Sequence, residues 1–136
     1  MSPTSARVLV IDDQKGMRDM LCFNLKQKNI EVTAAEDGEK GVEAALGGDF
    51  DAVVCDIMLP GLDGIAVLQI LKRERPKLEV ILVTGFPSPE RRARAKELGA
   101  FEFLAKPYKM ELLCSLLEEA ATRKRANNDP KKPGPA

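Results

Sequence analysis

Five short apolar runs alternate with five helical patterns along this chain. The first run, Val8-Leu9-Val10-Ile11, is continuous, as expected of a strand covered on both faces. Met17, Met20, Leu21 and Leu25 then recur at helical spacing and predict a first helix to about Lys28. Ile30 to Ala35 is a second, more polar strand and reads as an edge. Asp37-Gly38 turns the chain, Val42, Ala45 and Leu46 mark a second helix, and Gly47-Gly48 end it. The third strand is Ala52-Val53-Val54-Cys55. After a Pro60-Gly61 turn, Asp63 is placed to cap a third helix with core positions Ile65, Leu68 and Leu71, which Pro76 stops. Val80-Ile81-Leu82-Val83 is the fourth strand. Ser88-Pro89-Glu90 reads as an N-cap followed by proline at the first helical position, and the fourth helix closes at Leu98-Gly99. Phe101 to Leu104 is the fifth strand. A fifth helix from about Lys109 turns Leu112, Leu113, Leu116 and Leu117 inward. Strands separated by single helices imply right-handed crossovers and a parallel sheet. The expectation is an α/β, doubly wound (βα)5 fold with sheet order 2-1-3-4-5.

Composition narrows the class. The 136 residues suit one domain, with 44% hydrophobic and 31% charged positions. No apolar run approaches the ~18 residues of a membrane span, and Met1 to Arg7 lacks a signal-peptide core, so a cytoplasmic location without membrane insertion is expected. Cys22, Cys55 and Cys114 are odd in number, have no C-x-x-C spacing, and read as small buried hydrophobes. The sequence contains no histidine, which removes the commonest general base and rules out a phosphohistidine carrier. Net charge is zero, but residues 123–136 carry five basic residues and one acid, leaving 16 basic and 20 acidic residues in 1–122. A body near −4 is a poor match for nucleic acid, so no direct nucleic-acid binding is expected. The domain is expected to span 6–122, between a disordered 1–5 and a basic, proline-containing disordered tail over 123–136.

Ligands of open parallel sheets gather at the carboxyl ends of the strands. The first run delivers Asp12 and Asp13 there, the third Asp56, the fourth Thr84, and the fifth Lys106 with Pro107. Each has an ordinary use alone: an N-cap pair, a turn aspartate, a strand end, a solvated lysine. Together they bring three acids, a hydroxyl and a base to one edge. At about 4 Å and an effective dielectric near 20, each carboxylate pair repels by about 4 kcal/mol. Lys106 offsets one charge, and a small hard divalent cation such as Mg²⁺ suits the remainder. A carboxylate nucleophile there can form an aspartyl-phosphate, with Lys106 and Thr84 placed to neutralise and orient phosphoryl oxygens. No phosphate-binding glycine loop occurs, so the phosphoryl group must arrive from another molecule.

These residues, with their flanking segments, resemble the receiver domain of two-component response regulators, the chemotaxis-regulator-like family. The matching segments are Val8 to Asp13, Asp56 to Gly64, Val83-Thr84-Gly85 and Gly99 to Pro107, within about residues 6 to 121. The resemblance implies a flavodoxin-like three-layer sandwich. It also implies that Asp56 is the phosphoacceptor. Asp13 would bind Mg²⁺ directly with Asp56 and the backbone carbonyl of Met58, and Asp12 would assist that site; Mn²⁺ could substitute. Lys106 would pair with the phosphoryl group. Thr84 would move toward it and leave space for Phe103, which stands where many relatives have tyrosine. Pro107 is a candidate for a cis peptide bond. Met58 and Phe86 hold the two flanking positions that tune dephosphorylation in relatives; both are bulky and apolar, so a comparatively long-lived phosphoryl group is expected, and decay within seconds would refute it. The implied donor is a sensor histidine kinase, a histidine phosphotransfer protein or a small acyl phosphate. Catalysis would be limited to the protein's own phosphorylation and dephosphorylation, so it is not expected to be an enzyme in the ordinary sense. The implied output surface is the fourth helix, fifth strand and fifth helix, offered to a downstream protein or a second receiver. That surface carries Arg91, Arg92, Arg94 and Lys96, with Tyr108 and Lys109 at the start of the last helix.

Three other readings compete. One is a receiver separated from a larger regulator, with the Lys/Pro-rich tail as a linker stub. A second is a phosphohydrolase with an aspartyl nucleophile; such enzymes place another Asp two residues on, where this chain has Met58. A third is a degenerate binding module, against which the complete set Asp12, Asp13, Asp56, Thr84 and Lys106 argues.

Overall fold

Period-two alternation in the central strands divides the core into two halves. The computed structural model describes residues 6–128. Strands β1 (Arg7–Ile11), β2 (Glu31–Ala35), β3 (Ala52–Asp56), β4 (Glu79–Thr84) and β5 (Glu102–Ala105) form one parallel sheet in the order β2-β1-β3-β4-β5. Helices α1 (Lys15–Gln27), α2 (Gly38–Gly47), α3 (Gly64–Glu74), α4 (Pro89–Glu97) and α5 (Met110–Asn128) follow the strands in turn. Leu9, Ile11, Val53, Cys55, Val80 and Leu82 point to one face and pack with Ala45 of α2, Val67, Leu68 and Leu71 of α3, and Ala95 of α4. Val8, Val10, Ala52, Val54, Ile81 and Val83 point to the other and meet Leu21 and Leu25 of α1 and Leu113, Leu117 and Ala120 of α5. Sheet and two helical layers make the expected doubly wound sandwich. Every residue of β3 and β4 is buried, whereas β2 buries only Ala35, as suits an edge strand.

Local signals place the ends. The Asp63 carboxylate accepts from the Ala66 N–H at 2.9 Å to cap α3, and the Ser88 hydroxyl accepts from Arg91 N–H at 3.1 Å to cap α4. Asp37 caps α2 through Lys40 N–H, so Gly38 is that helix's first residue rather than part of a turn. Gly64 starts α3 where a Cβ would lie 2.4 Å from the Asp56 carbonyl oxygen and 2.6 Å from Ile57 Cα. Only glycine lets α3 begin this close to the end of β3.

Four expectations need correction. Helix α5 continues to Asn128, so 123–128 are helical and not a disordered tail. The physical reason is charge pairing: Arg123 meets Glu79 at 3.1 Å, Lys124 meets Asp49 at 3.3 Å, and Arg125 meets Asp51 at 2.9 Å. Leu112 is 46% exposed because the inward stripe of α5 is Leu113, Leu117, Ala120 and Ala121. Ile65 is only partly buried, and Val67 takes the core place expected of it. Cys55 and Cys114 are buried, but Cys22 is half-buried. The expected disorder of 1–5 and 129–136 concerns residues outside the described ones. Among the described residues, no helix is long and apolar enough to cross a membrane.

Candidate functional site

The hydrogen-bonded register of the sheet brings the chemistry-bearing residues to one edge. Ile11 pairs with Cys55, Asp56 with Val83, and Thr84 with Ala105, so the residues at and just after these pairs share the carboxyl-terminal rim. Asp12, Asp13 and Asp56 each offer a carboxylate oxygen, all within 4.8 Å of one another. Asp12 and Asp56 are buried and Asp13 is exposed. Lys106 reaches across from the end of β5. Its Nζ lies 2.6 Å from Asp56 Oδ2 and 3.8 Å from Asp12 Oδ2.

Backbone groups fix the two buried acids. Asp56 Oδ1 accepts from the Met58 N–H at 3.0 Å, and Asp12 Oδ1 accepts from the Gln14 N–H at 2.9 Å. The residue at the N-cap of α1 is Gln14, which makes no side-chain cap bond. The capping account of Asp12 and Asp13 therefore fails in its simplest form, and their carboxylates turn to the rim. Burial raises the pKa of Asp12. The Gln14 N–H and Lys106 oppose that rise, and the charges of Asp56 and Asp13 add to it. The donor set is all oxygen and partly pre-bound, which fits Mg²⁺ or Mn²⁺ rather than a soft thiolate-seeking metal. The nearby thiol of Cys55 packs in the apolar core, where burial pushes its pKa far up, and it stands apart from the three grouped carboxylates.

Thr84 is fully buried at the end of β4, and its Oγ1 accepts from the Phe86 N–H at 3.0 Å. Phe103 is buried in β5, and the Arg92 guanidinium lies 4.6 Å from its ring centroid. Met58 and Phe86 are 44% and 65% exposed, and Met58 lines the same cavity as Asp13. The Lys106–Pro107 peptide is cis.

Sequence reasoning missed several supporting residues. Arg18 Nη1 donates to the Asp12 carbonyl at 2.9 Å, and Arg91 Nη1 donates to the Phe86 carbonyl at 2.7 Å. Tyr108 buries its hydroxyl without a hydrogen-bond partner among the described residues. Burial, then the charges of Asp12 and Asp56, push its pKa up to about 12. Arginines on amphipathic helices carry no local mark of such reach; only the packed fold shows which carbonyl they meet.

Comparison with known proteins agrees with this geometry. Residues 8–118 match the family described as response regulator receiver domain. The transcriptional regulatory protein FixJ of Bradyrhizobium diazoefficiens is 35% identical over 117 residues, covering 86% of this chain and 57% of its own length. The transcriptional regulatory protein TcrA of Mycobacterium tuberculosis is 34% identical, with 88% and 47% covered. The chain thus spans about half the length of these curated relatives. A receiver-domain crystal structure from Clostridium thermocellum superimposes with a TM-score of 0.84 at 30% identity, covering 88% of this chain and 97% of that one. The response regulator TrrA of Thermotoga maritima, solved in complex with Mg(2+)-BeF, gives 0.77 at 26% identity, with 85% and 98% covered.

Proposed function

This chain belongs to the response regulator receiver family of two-component systems, and from that premise we propose that Asp56 accepts a phosphoryl group from a phosphohistidine donor. The observation that carries the reading is the contact between Lys106 Nζ and Asp56 Oδ2, 2.6 Å, beside the carboxylates of Asp12 and Asp13. An Asp56 oxygen attacks phosphorus, the P–N bond breaks, and its electron pair returns to the donor imidazole. With an acyl phosphate the P–O bond breaks and a carboxylate leaves. Lys106 is placed to follow the charge from the free carboxylate to the phosphoryl oxygens. Thr84 Oγ1 already accepts from Phe86 N–H, which leaves its own proton to donate. Asp13, Asp56 and the Met58 carbonyl would hold Mg²⁺ (or Mn²⁺), with Asp12 assisting. The bound cation supplies charge neutralisation at the phosphoryl oxygens. The protein catalyses only its own loading and hydrolysis. Its readout face is α4, β5 and α5, which meets a downstream protein or a second receiver, and its donor is a sensor kinase or a phosphotransfer protein.

The test is intact-mass analysis after incubation with acetyl phosphate and Mg²⁺. One phosphoryl group on the wild type and none on Asp56→Asn is the expected result. An unmodified wild type, or an equally modified Asp56→Asn, would overturn the reading.

A further inference from the structure

Helix α4 is weakly anchored. Of its nine residues only Ala95 is buried, so apolar packing does little to fix its position on the sheet. Its arginines are divided in their tasks. Arg91 holds the Phe86 carbonyl at 2.7 Å, and Arg94 pairs with Glu97 of the same helix at 2.8 Å. Arg92 reaches the neighbouring strand instead. Its guanidinium carbon lies 4.6 Å from the centroid of the Phe103 ring, and its Nη1 faces the Phe103 carbonyl at 3.4 Å. A planar cation on an aromatic face is attracted by the ring quadrupole, and a second contact to the same residue's backbone fixes its angle. Phe103 has no hydroxyl with which to secure its own ring.

We propose that Arg92 is a positioning residue: its guanidinium clamps the Phe103 ring in the buried place and so ties α4 to β5. The assignment rests on Asp56 being the phosphoacceptor for its link to signalling, though the clamp itself does not. Phe103 and Thr84 lie on paired strands, Leu82 opposite Phe103 and Thr84 opposite Ala105, so a ring held in place on β5 biases the position of the rim at which Thr84 stands. A lone surface cation would have no such reach.

Arg92 is largely exposed, so its variants remove no core atom. The experiment compares Arg92→Met, Arg92→Lys, Phe103→Leu and the Arg92→Met/Phe103→Leu double variant as a cycle. Two readouts are taken: hydrogen exchange of α4 amides with NMR of the Phe103 ring in the unloaded protein, and the rate of labelling by acetyl phosphate with Mg²⁺. Arg92→Met should speed α4 exchange and ring motion and slow labelling about two- to fivefold, the scale of one exposed cation–π contact. Arg92→Lys should recover part of both, because it restores a cation over the ring. In the Phe103→Leu background, where only the Arg92 contact to the backbone carbonyl remains, Arg92→Met should change α4 exchange and labelling much less than it does in the wild type. Equal effects in both backgrounds, or none in either, would overturn the clamp. A wild type that takes no label sinks the phosphoacceptor reading alone, and the exchange and ring data still decide on Arg92.

Discussion

Asp13 is the exposed member of the acidic trio, so its charge can be removed without opening a hole in the core. Asp13→Asn should raise the melting temperature slightly in the absence of divalent cations, because it relieves repulsion from Asp12 and Asp56. If the trio holds Mg²⁺ as proposed, the substitution should also blunt the stabilisation expected of the cation, about 2.7 kcal/mol at a hundred times the dissociation constant. Thermal melts with and without Mg²⁺ check both signs. Tyr108 offers a second measurement at this scale, since it is the single tyrosine and the chain has no tryptophan. Its phenol should titrate at about 12 by ultraviolet absorbance, above the ordinary phenol value of about 10. The raised value means that the folded state prefers the neutral phenol. This contribution is therefore fully present below pH 10 and is lost as the pH climbs toward 12. A transition at the ordinary value would show a solvated ring.

Helix starts decide where the site residues stand, and α3 is the most exacting. Gly64→Ala adds a Cβ against the Asp56 carbonyl and Ile57 Cα. The helix would gain up to about 1 kcal/mol in propensity. The clash should outweigh it, for a net loss of about 1–3 kcal/mol in urea unfolding. Much of this level was legible in the sequence. Continuous apolar runs marked the central strands, and Asp63 and Ser88 marked the caps, because both signals are local. The convergence of Asp12, Asp13, Asp56 and Lys106 was legible too, since parallel strands deliver their ends to one rim. The end of α5 was not. Arg123, Lys124 and Arg125 read as a solvated run, and their acidic partners Glu79, Asp49 and Asp51 lie 44 to 75 positions away. The burial of Asp51 and Glu79 gave no mark of its own, and adjacent leucine pairs in α5 left two possible inward stripes. The arginine contacts to Phe86 and Phe103 likewise depend on loop geometry that no periodicity encodes.

For the molecule as a whole, the last turns of α5 are part of the folded unit. A chain ending at Thr122 loses the Arg123–Glu79 and Arg125–Asp51 pairs and leaves two buried carboxylates short of partners. It should be less stable by about 1–3 kcal/mol, seen as a lower denaturation midpoint with the slope nearly unchanged. An unaltered midpoint would return 123–128 to the status of an appendage. Asp51 has a wider consequence. Its Oδ2 accepts the Arg7 N–H at 2.9 Å and Arg125 Nη2 at 2.9 Å, so one carboxylate oxygen holds the start of β1 and the close of α5. Helix α5 runs about 28 Å at 1.5 Å per residue, from the rim that bears Lys106 down to this opposite floor. Beginning and end thus meet far from the acidic pocket. The domain is suited to circular permutation, with a short linker closing the floor and new ends opened at a surface loop. It can also be grafted or tethered through that floor with the acidic rim left free to meet other molecules.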